Sequence, residues 1–354
     1  MTVIHVIEPF ASGVTTAIIS ITRKLKDDQH IVIHGSRMWV DSIKNVRNKF
    51  PSDVQFISWK YAGREINPIK DLGALFYLIK ILKKYKNAVI HLHSSKAGFL
   101  GRAACRLLGI KKVIYTPHCP AFIRTDISQK KIKMYKRLEK IGNSFGGKIV
   151  GCGKTEAKLY REMGIEAQWV SNGVEPRPYS KGLNPVLITF VGIANEQKNP
   201  DMFNRIASAF DKENVKFLWV GDGHEKYKAK LTSKNIKMTG WVDKEDVQKY
   251  LKETFIYLST SGWEGLPFGV LEAMNASCAL LLSDVPGNCD LVKKGENGYL
   301  FKEEEEAISF LGNMLADRNK TLSMGESSRM LIKKEFSLAQ MGEGYRAVYK
   351  SMID

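Results

Sequence analysis

The sequence predicts an α/β protein made of two doubly wound parallel-sheet domains in tandem. Three observations predict it. Apolar runs of strand length alternate with stretches whose apolar residues recur at helical spacing, the pattern of a parallel sheet covered on both faces. The alternation occurs twice along 354 residues, a length at which one hydrophobic core usually divides. Between the two series lies the loop 171–178, whose Gly173, Pro176 and Pro178 suit an interdomain hinge. The expected division is therefore 1–170, 171–335 and a terminal helix, 336–354, packing back on the first domain.

Val3 to Ile7 reads as the first strand, followed by the loop 8–13 and a helix with Val14, Ala17, Ile18, Ile21 and Leu25 on its apolar face. Ile31 to Ile33, Val89 to Leu92, Val113 to Tyr115 and Lys148 to Gly151 read as further strands. Helices are predicted over 71–85, 97–108, 132–144 and 155–163. The second series has strands at 186–191, 215–220, 236–239 and 256–259, and helices at 200–210, 224–233 and 269–276. Asp243 caps a helix over 244–252, and helices follow at 303–317 and 320–334. Ser337 to Gln340 is a capping-box pattern that opens the last helix, running to about Ile353.

No apolar stretch approaches the length of a membrane-spanning helix, and the start, MTVIHVIEPF, lacks the basic and long apolar parts of a signal peptide. A cytosolic protein is expected. Five cysteines, an odd number without CxxC spacing, stand in or beside apolar runs and read as buried thiols. The net charge of +17 is one-sided: residues 1–170 carry 30 Lys and Arg against 12 Asp and Glu, the remainder 24 against 25. Such a half points to a polyanionic partner, whether membrane surface, phosphorylated substrate or nucleic acid. Its helix 130–141 sets Ile132, Tyr135, Leu138 and Ile141 at helical spacing among cations, which suits docking on an anionic membrane surface. The basic half has neither the aromatic interleaving of a stacking platform nor a helix-turn-helix pattern, so nucleic acid is not the expected partner.

The chemistry concentrates in 259–301. Strand, Glu264-Gly265-Leu266-Pro267 loop and helix start make an anion-binding mouth at a sheet's carboxyl edge, with Pro267 suited to the first helical turn. Glu264 and Glu272 each accept two hydrogen bonds, which fits the vicinal hydroxyls of a sugar and a ribose. The loop 191–200 brings Lys198 to a helix opened by Asn199 and Pro200, in physical terms a diphosphate site. Gly221-Asp222-Gly223 and Thr239-Gly240-Trp241 follow the next two strands. In the first domain, His118 stands at a strand's carboxyl end, and His91 and His93 alternate in another with no third metal ligand apparent.

These motifs, in this order across nearly the whole chain, resemble those of the retaining GT-B glycosyltransferases of the glycosyltransferase 4 family. The resemblance rests on Glu264 to Glu272, on 295–300, on Val191-Gly192-Ile193 with Lys198, on Gly221 and Gly223, and on Tyr115-Thr116-Pro117-His118. It implies two Rossmann-like domains facing a central cleft. It further implies metal-independent transfer of a hexose, with retention, from a nucleotide-diphosphate sugar, UDP favoured, to a lipid-linked saccharide in O-antigen or capsule assembly. The enzyme would work peripherally at the inner face of the cell membrane, with no cofactor. Glu264 and His118 would hold the transferred sugar, and Glu272 the ribose. Lys198, Gly13 and the backbone of Gly265, Leu266 and Pro267 would hold the donor diphosphate, Gly192, Gly221 and Gly223 would belong to the donor site, Trp241 would lie along the base, and His93 and Lys96 would stand on the acceptor side. Ile193 departs from the family's arginine, leaving the diphosphate to a lysine without the planar guanidinium fork. A sugar-nucleotide epimerase of the same fold would isomerise a nucleotide sugar without acceptor; a nucleic-acid binder would be held on DNA in a salt-sensitive way.

Overall fold

The computed structural model describes residues 1–353 apart from Pro9, Ala11, 36–41, Arg64, 178–186, 213 and 214. Pro178 of the hinge loop, Val186 of a predicted strand and two residues of the first loop thus lie outside the described residues. The chain divides into two compact units, one of residues 1–123, 127–172 and 338–354, the other of 173–337 with 124–126.

The N-terminal unit has strands β1 (Thr2–Ile7), β2 (Gln29–His34), β3 (Gln55–Ser58), β4 (Val89–His93), β5 (Val113–Thr116), β6 (Lys148–Gly151) and β7 (Ala167–Trp169). They form one sheet in the order β3-β2-β1-β4-β5-β6-β7, every pair parallel. Its helices are α1 (Ser12–Lys24), α2 (Ile43–Arg47), α3 (Pro68–Leu82), α4 (Ser95–Leu108), α5 (Gln129–Ser144) and α6 (Lys154–Glu162). Period-2 alternation sends Ile4 and Val6 of β1 into a core with Leu78 and Leu82 of α3 and Leu100 and Ala104 of α4. Ile7 points to the opposite face, where Ile18 of α1 and Val46 of α2 complete a second cluster. Helices thus cover both faces, as a parallel sheet requires.

The C-terminal unit repeats the plan with β8 (Leu187–Val191), α7 (Pro200–Ser208), β9 (Lys216–Val220), α8 (Glu225–Lys228), β10 (Ile236–Met238), α9 (Lys244–Glu253) and β11 (Thr254–Ser259). Then come α10 (Phe268–Asn275), β12 (Ala279–Ser283), β13 (Gly298–Phe301), α11 (Glu304–Ala316) and α12 (Arg318–Glu335). The strand order is β10-β9-β8-β11-β12-β13, again all parallel. Phe190, Trp219, Ile256 and Leu281 meet Phe203 and Ile206 of α7 and Leu311 of α11 in one buried cluster. Full burial of such side chains stabilises by roughly 1.5–3 kcal/mol each. The last helix, α13 (Leu338–Lys350), belongs to the N-terminal unit and packs on α1, with Gly342 close against Lys24.

Several elements depart from expectation. The helix predicted over 224–233 is the single turn α8, because Asn204 accepts the Thr232 and Ser233 N–H groups at 2.7 and 2.8 Å and draws the chain away. Ile141 of α5 is exposed; the helix turns Glu139 and Gly142 inward, where Glu139 meets Arg102 at 3.1 Å and the Tyr115 hydroxyl at 2.9 Å. Gly13 lies in the first turn of α1, beyond the loop that was expected to hold it.

Candidate functional site

In each unit the strand order reverses beside the first strand, between β1 and β4 and between β8 and β11. Loops leaving such a pair diverge and open a crevice at the sheet's carboxyl edge. In the C-terminal unit these two loops carry Lys198 and Glu264. Asn195 accepts the Lys198 N–H at 3.1 Å, closing a 3-10 turn over 196–198. Asn199, left-handed at φ +48°, then caps α7 through the Met202 N–H at 3.2 Å. Thr260 donates to the carbonyls of Lys198 and Asn199 at 2.9 and 3.1 Å, and Gln197 donates to the Trp263 carbonyl at 2.9 Å. These bonds tie the two loops together, and the Lys198 ammonium pairs with the buried carboxylate of Glu264.

The glycines hold backbones close. A Cβ on Gly221 would lie 2.3 Å from the Gly192 carbonyl oxygen, and one on Gly223 2.1 Å from that of Ala194. Gly221 and Gly223 therefore let the loops after β8 and β9 run against each other, a structural reason for glycine additional to any ligand, whereas a Cβ on Gly192 would meet the Phe190 ring at 2.9 Å. Gly265 is covered by the turn at Gly287 (φ +85°), where a Cβ would strike its carbonyl oxygen at 2.0 Å. Ser283 donates to the Ser261 carbonyl at 2.6 Å, and Asn288 donates to the Ser283 carbonyl at 3.0 Å, fixing the loop from below. Leu266 is buried, and Pro267 is the N-cap of α10, with ψ 123°, just outside the first turn expected to hold it, while the helix itself starts at Phe268, one residue before the predicted 269. The first N–H groups of α10 have no acceptor within the helix. Glu272, on its second turn, meets Lys244 of α9 at 3.4 Å, and Trp241 is 54% exposed. The motif at 295–300 is a turn into β13 in which Asn297 bonds Lys293 N–H and the Leu291 carbonyl at 2.7 and 2.9 Å.

In the N-terminal unit, His118 follows β5 with φ +51°, and Cys119 follows at +79°. Two left-handed non-glycine residues in succession are strained. Buried Glu156 holds the loop by accepting the N–H groups of Cys119 and Cys152, each at 2.6 Å. His93 is fully buried, and its Nδ1 lies 2.9 Å from His118 Nε2. Lys96 pairs with Asp71 at 2.7 Å and donates to the Glu65 carbonyl, a contact that anchors α3. A third histidine that the sequence reading did not find, His5, joins the pair, and the ligand atoms of His5, His91 and His93 lie within 4.8 Å of one another. Their nitrogens are already engaged: His91 with the Tyr349 and Thr116 hydroxyls, each at 2.8 Å, and His5 with His93 at 3.0 Å. Burial lowers the pKa of His5, His91 and His93 well below the ordinary value and that of His118 to about 3, so all are neutral at pH 7. The clue available in the sequence was the period-2 spacing of VIHVI, HIVIH and IHLH, which puts their histidines on one face of neighbouring strands.

The surface of this unit is basic and partly apolar. Lys130, Lys131, Lys133, Lys136, Arg137 and Lys140 of α5 are exposed, with Met134 and Ile141 among them. On α3, Ile69, Leu72 and Phe76 stand exposed on one face. Among the described residues, no helix is long and apolar enough to cross a membrane.

Two doubly wound, all-parallel units in tandem are the architecture of the GT-B fold. The Anabaena protein HepE, solved with UDP-glucose, superposes with a TM-score of 0.80 over 99% of this chain and 100% of its own at 15% identity, which carries the fold. Residues 11–177 match the profile of Glycosyltransferase Family 4 and residues 174–330 that of Glycosyl transferases group 1. An Escherichia coli UDP-Gal:alpha-D-GlcNAc-diphosphoundecaprenol alpha-1,3-galactosyltransferase is 30% identical over 82% of each chain. The E. coli O-antigen biosynthesis glycosyltransferase WbnH is 28% identical over 91% of this chain and 96% of its own. The chain belongs to the group 1 glycosyltransferases, the glycosyltransferase 4 family.

Proposed function

We propose that this glycosyltransferase moves a hexose, with retention, from a UDP-sugar to a saccharide carried on a lipid diphosphate, in assembly of a bacterial surface polysaccharide. The observation that carries the reading is the pairing of Lys198 with Glu264 at the C-terminal unit's switch point, beside the start of α10. Cleavage of the donor bond builds negative charge on the departing diphosphate and positive charge on the sugar. Lys198 and the N–H groups opening α10 meet the first need, and no cofactor or metal is assigned. A bound donor would separate the ammonium from Glu264, the lysine turning to phosphate and the carboxylate to sugar hydroxyls. Glu272 receives the ribose, and His118 is the N-terminal residue assigned to the sugar. The E. coli galactosyltransferase, by its name, uses a UDP-sugar and an undecaprenol-linked acceptor, which supports both choices. The basic α5 and the exposed apolar face of α3 support work at an anionic membrane surface.

A thermal-shift panel of UDP-, GDP- and ADP-sugars tests the donor. Stabilisation by the UDP-sugars is expected, roughly 2.7 kcal/mol at a hundredfold excess over Kd; stabilisation by another nucleotide class alone would overturn the UDP assignment. NMR of the transferred sugar's anomeric proton decides retention. Glu272→Ala is expected to lower kcat/KM for the donor about 100-fold, since two charge-assisted hydrogen bonds are lost. The melting temperature should hardly move, because the Lys244 partner is 62% exposed and such pairs add little stability. Unchanged donor kinetics would remove Glu272 from the site.

A further inference from the structure

Four histidines of the N-terminal unit form one hydrogen-bonded line that crosses the sheet beneath His118. His118 Nε2 lies 2.9 Å from His93 Nδ1, and His93 Nε2 lies 3.0 Å from His5 Nδ1. His5 Nε2 lies 3.2 Å from His30 Nδ1, and His30 Nε2 ends the line 2.9 Å from the carbonyl oxygen of Leu25. Strand register builds it: His5 of β1 is paired with His91, Ile7 with His93 and Val3 with His30, so the histidines share one face of three adjacent strands.

A carbonyl only accepts. His30 must therefore carry its proton on Nε2 and offer Nδ1 as an acceptor, since a neutral imidazole has one donor and one acceptor. His5 then donates from Nε2 and accepts at Nδ1, and the same holds for His93 and His118 in turn. Burial lowers the pKa of all four rings, so at pH 7.5 no member escapes the rule by taking a second proton. Nδ1 of His118 has no hydrogen-bond partner among the described residues.

We infer that His93, His5 and His30 are positioning residues that fix His118 in its Nε2–H tautomer from the Leu25 carbonyl, leaving Nδ1 as an obligate acceptor for a hydroxyl of the bound substrate. This rests on the assignment of His118 to the sugar only for its last clause. The consequence is a specificity rule: a sugar that presents a hydroxyl proton to His118 is accepted, and one that presents only an oxygen acceptor there is rejected.

The test is long-range 1H–15N correlation NMR of the full chain labelled with 15N-histidine at pH 7.5, without substrate. Protonated ε2 and unprotonated δ1 nitrogens are expected for His118, His93, His5 and His30; an Nδ1–H form at any of the four overturns the relay. His5→Phe cuts the line, after which His93 can hold its proton on either nitrogen, so a second His118 population protonated at Nδ1 is expected. His5→Gln, which keeps a donor and an acceptor, should restore the single form. A His118 spectrum indifferent to His5→Phe would show that the line does not govern it. If His5 fails to tolerate phenylalanine, the wild-type spectrum still decides. A deoxy-donor series then tests the sugar contact separately: an intact relay with no deoxy donor impaired would overturn the substrate clause alone.

Discussion

Alanine at Lys198 is expected to lower sugar transfer about 10³-fold. The side chain supplies the full positive charge that the structure sets against Glu264 in the loop after β8, and the departing diphosphate is where charge develops in the proposed reaction. Removing one such preorganised donor usually costs a factor of about 10²–10³ in kcat, and with isoleucine at 193 the loop has no guanidinium to share the load. The same substitution also strands Glu264, a carboxylate whose side chain is only 7% exposed, without its ammonium. Breaking a buried pair from one side destabilises by roughly 3 kcal/mol or more, so low activity in Lys198→Ala alone would confuse lost chemistry with lost folding. The double variant Lys198→Ala/Glu264→Gln removes both charges. It should recover most of the stability in chemical denaturation while remaining inactive and losing its stabilisation by UDP-sugar. Transfer within threefold of wild type in either protein would take the donor site away from this loop.

How much of this could be read from the chain follows from range. Local signals were legible: the apolar runs of β1, β4, β8 and β11, the Asp243 cap, whose carboxylate accepts the Glu245 and Asp246 N–H groups at 3.0 Å each, and the loops that follow the strands. Elements with little local signal were not. The strands β12 and β13 were absorbed into the motif that contains them, and β3 and β7, four and three residues long, are too short to stand out from the loops around them. The long-range facts were not legible at all. Lys198 and Glu264 are 66 residues apart, and only the order of β8 beside β11 makes them neighbours. Three candidates also changed character once their surroundings were known. Lys96 is committed to Asp71, and Gly221 and Gly223 are small because the adjacent loop leaves no room for a Cβ. The histidine line is the clearest case: each strand displays its histidine in the sequence, but only the register of three strands turns separate residues into one chain of donors and acceptors.

That same burial makes the N-terminal unit acid-sensitive in a window where carboxylates do not titrate. Burial is the first cause lowering the pKa of six histidines, at 5, 30, 34, 91, 93 and 118. Leu25, Asp28 and Asp53 oppose the shift at His30, while the Arg47 guanidinium adds to it at His34. The native state keeps these rings neutral, whereas the unfolded chain protonates them near pH 6.5. Below that pH the unfolded state binds more protons, so stability falls as pH falls, and each strongly shifted ring forfeits about 1.4 kcal/mol by pH 5.5. Six rings set an upper limit of about 8 kcal/mol there, comparable with the whole stability of a domain. Glu139, raised by burial, acts in the opposite direction but is a single group. All six histidines lie between residues 5 and 118, so the loss should be confined to one unit. Calorimetry from pH 8 to 5 is expected to show one transition moving down steeply below pH 6.5 while the other, belonging to residues 173–337, stays nearly in place. A first transition that held its temperature down to pH 5 would mean that the rings accept protons in the folded state. It would also undo the argument that each member of the line carries only one.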